Sequence, residues 1–420
     1  MYYKMSIITT VTRMWLTRST KPFLFVNDYD NKLQYVKTNN LGLYIHIPFC
    51  KTICSFCPYC KVEYREELAE KYVNALIKEI NLVCDSKERK EITSLYFGGG
   101  TPALLIDKLD EIITVIKKYF IISEGIGIEL HPNNVSIETL KKLKQLGITK
   151  ISIGIQSFQD KFLHILGREK TDYSNMFKAL ERVSFETVSM DFIFALPGQT
   201  FELIKRDIDI AFQNGANHIA IYPFIDFSFT ESTLKKMSNK EKRKLLDDIT
   251  NYCVDKGYIR DSIWTFAKNS NKKYSSMTRD NFLGFGCSAT TLLDKQFKIN
   301  TFSIEDYIKR VDNRKIPTSL TLRFTKNQRM IYYLFWTAYT TRVNLAEFEK
   351  FFNIKLKTQY GFEIWLMKIL KLIKERDGYL EMTLKGAFYY HYYENYYTLA
   401  YIDKMWSVMR KEAFPKELIL

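Results

Sequence analysis

The chain has 420 residues, 46% of them hydrophobic and 15% aromatic, enough to bury a large core and build two or three domains. That composition excludes a disordered chain, and no run of the roughly 20 apolar residues needed to cross a bilayer is present. Lysine and arginine (62) exceed aspartate and glutamate (47), a net charge of +15, but the cations are scattered. No basic run with interleaved aromatics marks a single-strand nucleic-acid binder, so neither nucleic acid nor a membrane span is expected.

Residues 1–40 read as an N-terminal extension. Its apolar stretch, Met5 to Trp15, is too short and interrupted for a secretory signal, which predicts a cytoplasmic, reducing location. From residue 41 apolar runs alternate with helix-period segments. Strands are expected over 43–47, 94–97, 126–130, 150–154, 189–196 and 218–222, and helices over 68–83, 104–119, 137–146, 173–183 and 201–212. The first helix shows the pattern plainly, with Leu68, Tyr72, Leu76, Ile80 and Val83 on one stripe. A helix over 231–256 and short strands within 259–267 and 282–300 follow. From about residue 318 the pattern is mostly helical, with a possible strand pair near 379–383. The domain reading is 41–225 for a βα-repeat unit, 226–315 for an α/β segment completing it, and 316–420 for a mainly helical C-terminal domain. The tyrosine-rich run Tyr389 to Tyr397 reads as a helix packed on several faces, with His391 a packed or surface histidine rather than a haem ligand.

The loop after the first strand carries Cys50, Cys54 and Cys57, spaced C-x3-C-x2-C. A [4Fe–4S] carrier usually takes four cysteines; three leave one iron open for a ligand that is not protein, which is the arrangement of a reaction centre. Seven cysteines, an odd number, argue against a disulfide framework. Zinc stays open as an alternative, because Cys60 offers a fourth sulfur, although no second C-x2-C knuckle follows. Cys84, Cys253 and Cys287 read as ordinary buried thiols. Further along, Gly98-Gly99-Gly100-Thr101 ends a strand where glycine lets the backbone approach a ligand closely. Glu129 ends another strand and would suit ribose hydroxyls or an amine.

With Leu43-Tyr44-Ile45-His46-Ile47-Pro48-Phe49 before it and Phe56 ahead of the third cysteine, the motif resembles the radical S-adenosylmethionine (SAM) enzymes. Within them it is similar to the oxygen-independent coproporphyrinogen III dehydrogenase family, which also contains haem chaperones and class C methyltransferases. Tyr96 to Pro102, Ile128 to Pro132, Ser152 to Phe158, Leu166-Gly167-Arg168, Met190 to Thr200 and Leu283 to Gly286 follow in the family's order, so the resemblance runs from about residue 41 to 312.

The resemblance implies an α/β fold, a partial (βα)6 barrel with a mainly helical C-terminal domain. It implies a [4Fe–4S] cluster on Cys50, Cys54 and Cys57 and two SAM molecules. Tyr44, Gly99 and Glu129 match the first-SAM positions; Phe56, Gly100, Thr101, Gln156, Arg168 and Asp191 match the second. The implied chemistry is reductive cleavage of SAM to a 5′-deoxyadenosyl radical that abstracts hydrogen from a small-molecule substrate, a tetrapyrrole. A low-potential electron donor such as flavodoxin or ferredoxin would then be a partner. Three departures bear on the substrate. Thr265 stands where the dehydrogenase has a histidine, Lys273-Tyr274-Ser275-Ser276 replaces a Gly-Tyr-Thr-Thr turn, and the chaperones' H-N-x-x-Y-W signature is missing. The C-terminal portion around Leu384-Lys385-Gly386 looks more like the dehydrogenase than the shortened chaperones.

Overall fold

The structure, a computed structural model, describes residues 7–28, 33–84, 88–230, 234, 237–269 and 280–420. Six parallel strands stand side by side in sequence order: β1 (Leu41–Ile47), β2 (Leu95–Gly99), β3 (Ile126–Leu130), β4 (Ile148–Gln156), β5 (Thr187–Phe194) and β6 (His218–Pro223). They are joined by crossover helices: α1 (Glu66–Val83), α2 (Ile106–Tyr119), α3 (Ile137–Gln145), α4 (Ser174–Arg182) and α5 (Phe201–Gln213). Parallel strands need such crossovers and bury both faces; Ile45, Phe97, Ile128, Ile151 and Ile219 are all fully enclosed. The α1 stripe is buried through Ala69, Tyr72, Val73, Leu76 and Ile80, at the helical spacing expected.

The sheet does not close. Beyond β1 it continues through Asn281–Phe285, which runs parallel to β1, into the antiparallel Thr290–Leu293, Gln296–Asn300 and Thr318–Arg323, then Leu24–Val26 and Glu417–Ile419. Beyond β6 it ends in Thr265–Ala267 and Ile259–Ser262. The result is one open sheet of 14 strands, a partial barrel.

Differences from the sequence expectation have local causes. The helix expected over 231–256 is α6 (Asn239–Asp255). Ser238 starts it, accepting the Glu241 N–H and donating its own N–H to Glu241 Oε2 at 2.9 Å, a capping box; residues 231–233 and 235–236 lie outside the described ones. Thr318–Arg323, expected as the start of a helical region, is a strand whose first five residues are buried; threonine and serine on both faces hide the apolar signal. The strand pair near 379–383 is Ile373–Arg376 with Tyr379–Met382, joined by a third strand, Arg342–Asn344, beside a second core around Met330, Tyr333 and Phe348.

The chain ends in α7 (Leu384–Tyr397) and α8 (Asp403–Lys411), joined by a π-helical turn, Thr398–Ile402. This helix lies against the strand ends that carry the cysteine loop. Asp403 Oδ1 accepts the Ser228 N–H (2.7 Å), Trp406 packs against Tyr59, Phe227 and Phe302 at 6.0 Å each, and Arg410 donates to Pro58 O while stacking over Phe229 (4.6 Å).

Glu79 is the polar hub of the barrel's first half. It is 2% exposed and accepts from Tyr307 Oη (2.6 Å), Gly286 N–H (2.8 Å) and Asn300 Nδ2 (3.0 Å), tying α1 to the meander. Burial lifts its carboxyl to about 7, against the pull of those three donors. With the folded value above the ordinary 4.5, its contribution is whole below pH 4.5 and is lost as pH rises through about 7. Wild type should therefore lose on the order of 3 kcal/mol relative to Glu79→Gln across that window in denaturant titrations. Parallel pH curves for the two proteins would show that Glu79 ionises in the fold without penalty.

Candidate active site

The site forms at the C-terminal ends of β1–β5, where βα folds place functional groups. After β1 the chain makes a short ladder, Phe49–Cys50 with Val62–Glu63, and the cysteine loop is held between them. The glycines ending β2 lie directly on this loop: Gly100 N–H donates to Ile47 O and Thr101 N–H to Phe49 O, both at 2.7 Å. A Cβ on Gly100 would sit 2.6 Å from Phe49 O. Gly99 has φ +118° and packs on the His46 ring, so neither position accepts a side chain.

Cys50, Cys54 and Cys57 are half-buried and line one cavity of about 2750 Å³. Thr101 Oγ1 lies 3.9 Å from Cys50 Sγ, Arg168 Nε donates to Cys54 Sγ at 3.4 Å, and Lys61 Nζ donates to Cys57 O at 2.6 Å. Burial pushes the Cys50 thiol up to about 11 and the Cys57 thiol up as well, the latter opposed by Lys61 and Arg168. Among the described residues, the one group of three His, Cys, Asp or Glu ligand atoms within 4.8 Å of one another is His46, Cys60 and Cys287. The three loop thiols are therefore spread wider than a single zinc allows, since Zn–S bonds of about 2.3 Å hold thiolates near 4 Å apart. A cubane cluster, with each thiolate on a different iron, suits such a spread.

Cys60 does not line the cavity. Its buried thiol donates to Phe302 O (3.2 Å) and lies 3.9 Å from Cys287 Sγ. The neighbouring His46 ring is already engaged at both nitrogens, Nδ1 with Tyr44 Oη (3.2 Å) and Nε2 with Cys60 O (2.9 Å), so this trio is hydrogen-bonded core. Cys84, Cys253 and Cys287 are buried, as expected.

The carboxyls stand opposite the thiols. Glu129 on β3 accepts the Gly99 N–H through Oε2 (3.0 Å), and the half-buried Tyr44 on β1 lies beside it. Asp191 on β5 is gripped by Ser152 Oγ (2.7 Å) and Ser189 Oγ (3.0 Å), which pair across β4 and β5. Burial raises Glu129 to about 7 and Asp191 to about 6, with the Asp191 charge adding to the rise at Glu129. The β4–β5 register slips by one residue after Gly154–Asp191, so that Gln156 pairs with Phe192 at φ +70°. Gln156, at this bulge, shares the cavity face with Lys150, Ser152 and Gly154, and bulges often lie near sites. Arg168 donates to Gly154 O and its guanidinium lies 5.9 Å over the Phe56 ring.

Gly99, Gly100, Thr101, Glu129, Gln156, Arg168, Asp191 and Phe56 all line the same cavity as the thiols; Tyr44 does not line it but stacks at 6.5 Å on Tyr96, which does. Sequence reading missed Ser152 and Ser189. Their signal is period two, each lying two residues before a site residue or glycine on its strand. It also missed the Trp406 and Arg410 clamp, for which only folding supplies the contact. Thr265 lines the cavity and donates to Ser262 Oγ at 2.8 Å; the Lys273 to Ser276 departure lies outside the described residues.

Residues 44–211 match the Radical SAM superfamily profile. The Heme chaperone HemW of Lactococcus lactis subsp. lactis is 27% identical over 363 residues, 82% of this chain and 93% of that protein. The oxygen-independent coproporphyrinogen III oxidase of Synechocystis sp. is 25% identical over 311 residues, 67% of this chain and 66% of that protein. The solved structure of coproporphyrinogen III oxidase (HemN) from Escherichia coli shares the fold, with a TM-score of 0.74 at 20% identity over 91% of this chain and 96% of that one.

After anaerobic reconstitution, Cys50→Ala, Cys54→Ala and Cys57→Ala should each lose most of the iron and brown absorption, and Gly100→Ala should lose a large part through its clash with Phe49. Cys60→Ala should keep both, and loss of iron there would put Cys60 in the ligand set.

Proposed function

We propose that this chain, which carries a radical SAM domain similar in sequence to heme chaperones and to oxygen-independent coproporphyrinogen III oxidases, is an enzyme that acts on a tetrapyrrole. The named case is oxidative decarboxylation of a coproporphyrinogen III propionate to a vinyl group, with release of carbon dioxide. The observation that carries the reading is a single cavity onto which three thiols, two burial-raised carboxyls, a guanidinium and an aromatic wall all open. At about 2750 Å³ it is larger than the roughly 300–1,000 Å³ of ordinary ligand pockets, leaving room for a cofactor and a macrocycle together.

Cys50, Cys54 and Cys57 would hold a [4Fe–4S] cluster. Bound there with SAM, the cluster supplies a 5′-deoxyadenosyl radical able to take hydrogen from an unactivated C–H bond. Around it the chain's own groups bind and orient. The backbone of Gly99 and Gly100 would accept the close approach of the methionyl group, and Glu129, which already accepts from Gly99 N–H and Tyr96, would use a remaining lone pair for its ammonium. Tyr44 would back Glu129. Phe56, Thr101, Gln156, Arg168 and Asp191 would form a second SAM position, Arg168 pairing with a carboxylate and Asp191 meeting an amine or ribose hydroxyls. The cluster's electron would come from a low-potential carrier such as flavodoxin or ferredoxin. No helix among the described residues is long and apolar enough to cross a membrane.

The names of the relatives favour a second reading, haem binding without turnover, against which stands the missing H-N-x-x-Y-W signature. A class C methyltransferase, spending the second SAM as a carbon donor, is the remaining alternative.

Anaerobic incubation of reconstituted protein with SAM, dithionite and coproporphyrinogen III, followed by mass spectrometry, separates these. With a one-electron acceptor present, we expect 5′-deoxyadenosine and a product lighter by carbon dioxide and two hydrogens per propionate, one hydrogen leaving on the deoxyadenosyl radical and the other as a proton and an electron to that acceptor. 5′-Deoxyadenosine with an unchanged porphyrinogen would remove the substrate, S-adenosylhomocysteine would indicate methyl transfer, and stoichiometric haem uptake without SAM cleavage would establish the chaperone. Glu129→Gln should retain its iron and bind SAM about tenfold more weakly.

A further inference from the structure

The wall of the cavity facing the barrel mouth is one helical stripe. Tyr390, Tyr393, Glu394 and Tyr397 from α7, then Thr398 and Tyr401 from the π-turn, line the cavity at spacings of three and four residues. A π-helical turn interrupts the helix within this stripe, and such turns often sit at functional positions. The wall is set against the barrel by contacts at the strand ends: Trp264 Nε1 donates to His391 Nδ1 (3.0 Å), and the His391 ring lies 6.2 Å from Phe194 at the end of β5. His391 is thus committed to packing.

One member of the stripe does not fit a packing role. Glu394 is 8% exposed; Oε1 accepts from Thr398 Oγ1 at 3.1 Å, while Oε2 is enclosed and has no hydrogen-bond partner. Burial lifts this carboxyl to about 7. An unsatisfied buried carboxyl oxygen costs stability, and a tyrosine-lined wall would be better served by an apolar residue unless a ligand brings the missing donor. The surrounding surface is aromatic: Phe335 stacks near Tyr397 (4.8 Å) and Tyr390 (5.4 Å), and Trp264 near Tyr339 (5.5 Å), all lining the cavity. Flat faces with one unpartnered acceptor match a ligand with flat rings and inner N–H donors. Pyrrole nitrogens are of that kind: each N–H donates and none accepts, since the lone pair belongs to the ring.

We propose that Glu394 is a substrate-binding residue whose free Oε2 accepts hydrogen bonds from pyrrole N–H groups of a tetrapyrrole held against the Tyr390–Tyr393–Tyr397–Phe335 wall. This rests on the tetrapyrrole reading of the same site. It assigns recognition of the macrocycle's centre to the C-terminal helix, separate from the cluster and SAM residues on the strands.

The test is an anaerobic titration of the reconstituted, unreduced protein with coproporphyrinogen III, read by quenching of tryptophan fluorescence, since Trp264, Trp336 and Trp406 all line the cavity. Wild type should bind saturably, Glu394→Leu about tenfold more weakly, and Glu394→Gln, which keeps one acceptor oxygen, in between. Tyr392→Phe, at an exposed position on the same helix, should match wild type. Equal binding by wild type and both Glu394 variants overturns the assignment and leaves the tetrapyrrole reading standing. No binding by wild type overturns both. Should Glu394→Leu fail to fold, Glu394→Gln alone decides, by whether its affinity falls below that of wild type.

Discussion

The site depends on a close approach between two backbones. Gly99 and Gly100, at the end of β2, lie against His46 and Phe49 so tightly that a single added carbon would collide with ring or carbonyl atoms. Two backbone hydrogen bonds of 2.7 Å lock that approach. The cysteine loop, which has little regular structure of its own, is thereby fastened to a buried parallel sheet. A loop meant to present three thiols at fixed separations needs such an anchor, because side-chain positions can be no better defined than the backbone bearing them.

From this anchor the remaining parts are placed by strand register. Because the strands are parallel and in sequence order, their C-terminal ends line up, and Glu129, Gln156 and Asp191 arrive at one rim. The serines at positions 152 and 189 are cross-strand partners, and their hydroxyls hold the Asp191 carboxyl from two sides. Gln156, at the β4 bulge, falls on the same strand face as Ser152 and Gly154 and so meets the cavity. Burial then sets the electrostatics, raising both carboxyls and the Cys50 and Cys57 thiols together, so that the rim holds its acids closer to neutral than water would.

The C-terminal helix closes the arrangement from the other side. Trp406 and Arg410 press on the outer turn of the cysteine loop at Tyr59 and Pro58, while α7 turns its tyrosine stripe to the cavity. The cysteine loop is thus held from within by glycines and from without by an aromatic and a guanidinium. The segment most distant in sequence therefore bears directly on the geometry of the first motif.

The amino-acid sequence by itself determined the βα alternation, the six parallel strands, the thiol triad and the glycine, Glu129, Gln156, Arg168 and Asp191 positions at the strand ends. Each is a local matter: hydrophobic period sets strand and helix, and a motif that closes a strand must fall at the strand's end. What it left undetermined is non-local. The strand at Thr318–Arg323 was masked because its buried polar residues depend on neighbours far along the chain. The tyrosine run read as packing on several faces, and only the docking of α7 on Phe194 and Trp264 shows which face meets the cavity. The C-x3-C-x2-C spacing singles out Cys57 over Cys60 but says nothing of where the Cys60 thiol goes. Only the tertiary structure places it, in the core beside Cys287, a residue more than two hundred positions away, while the Cys57 thiol meets the cavity.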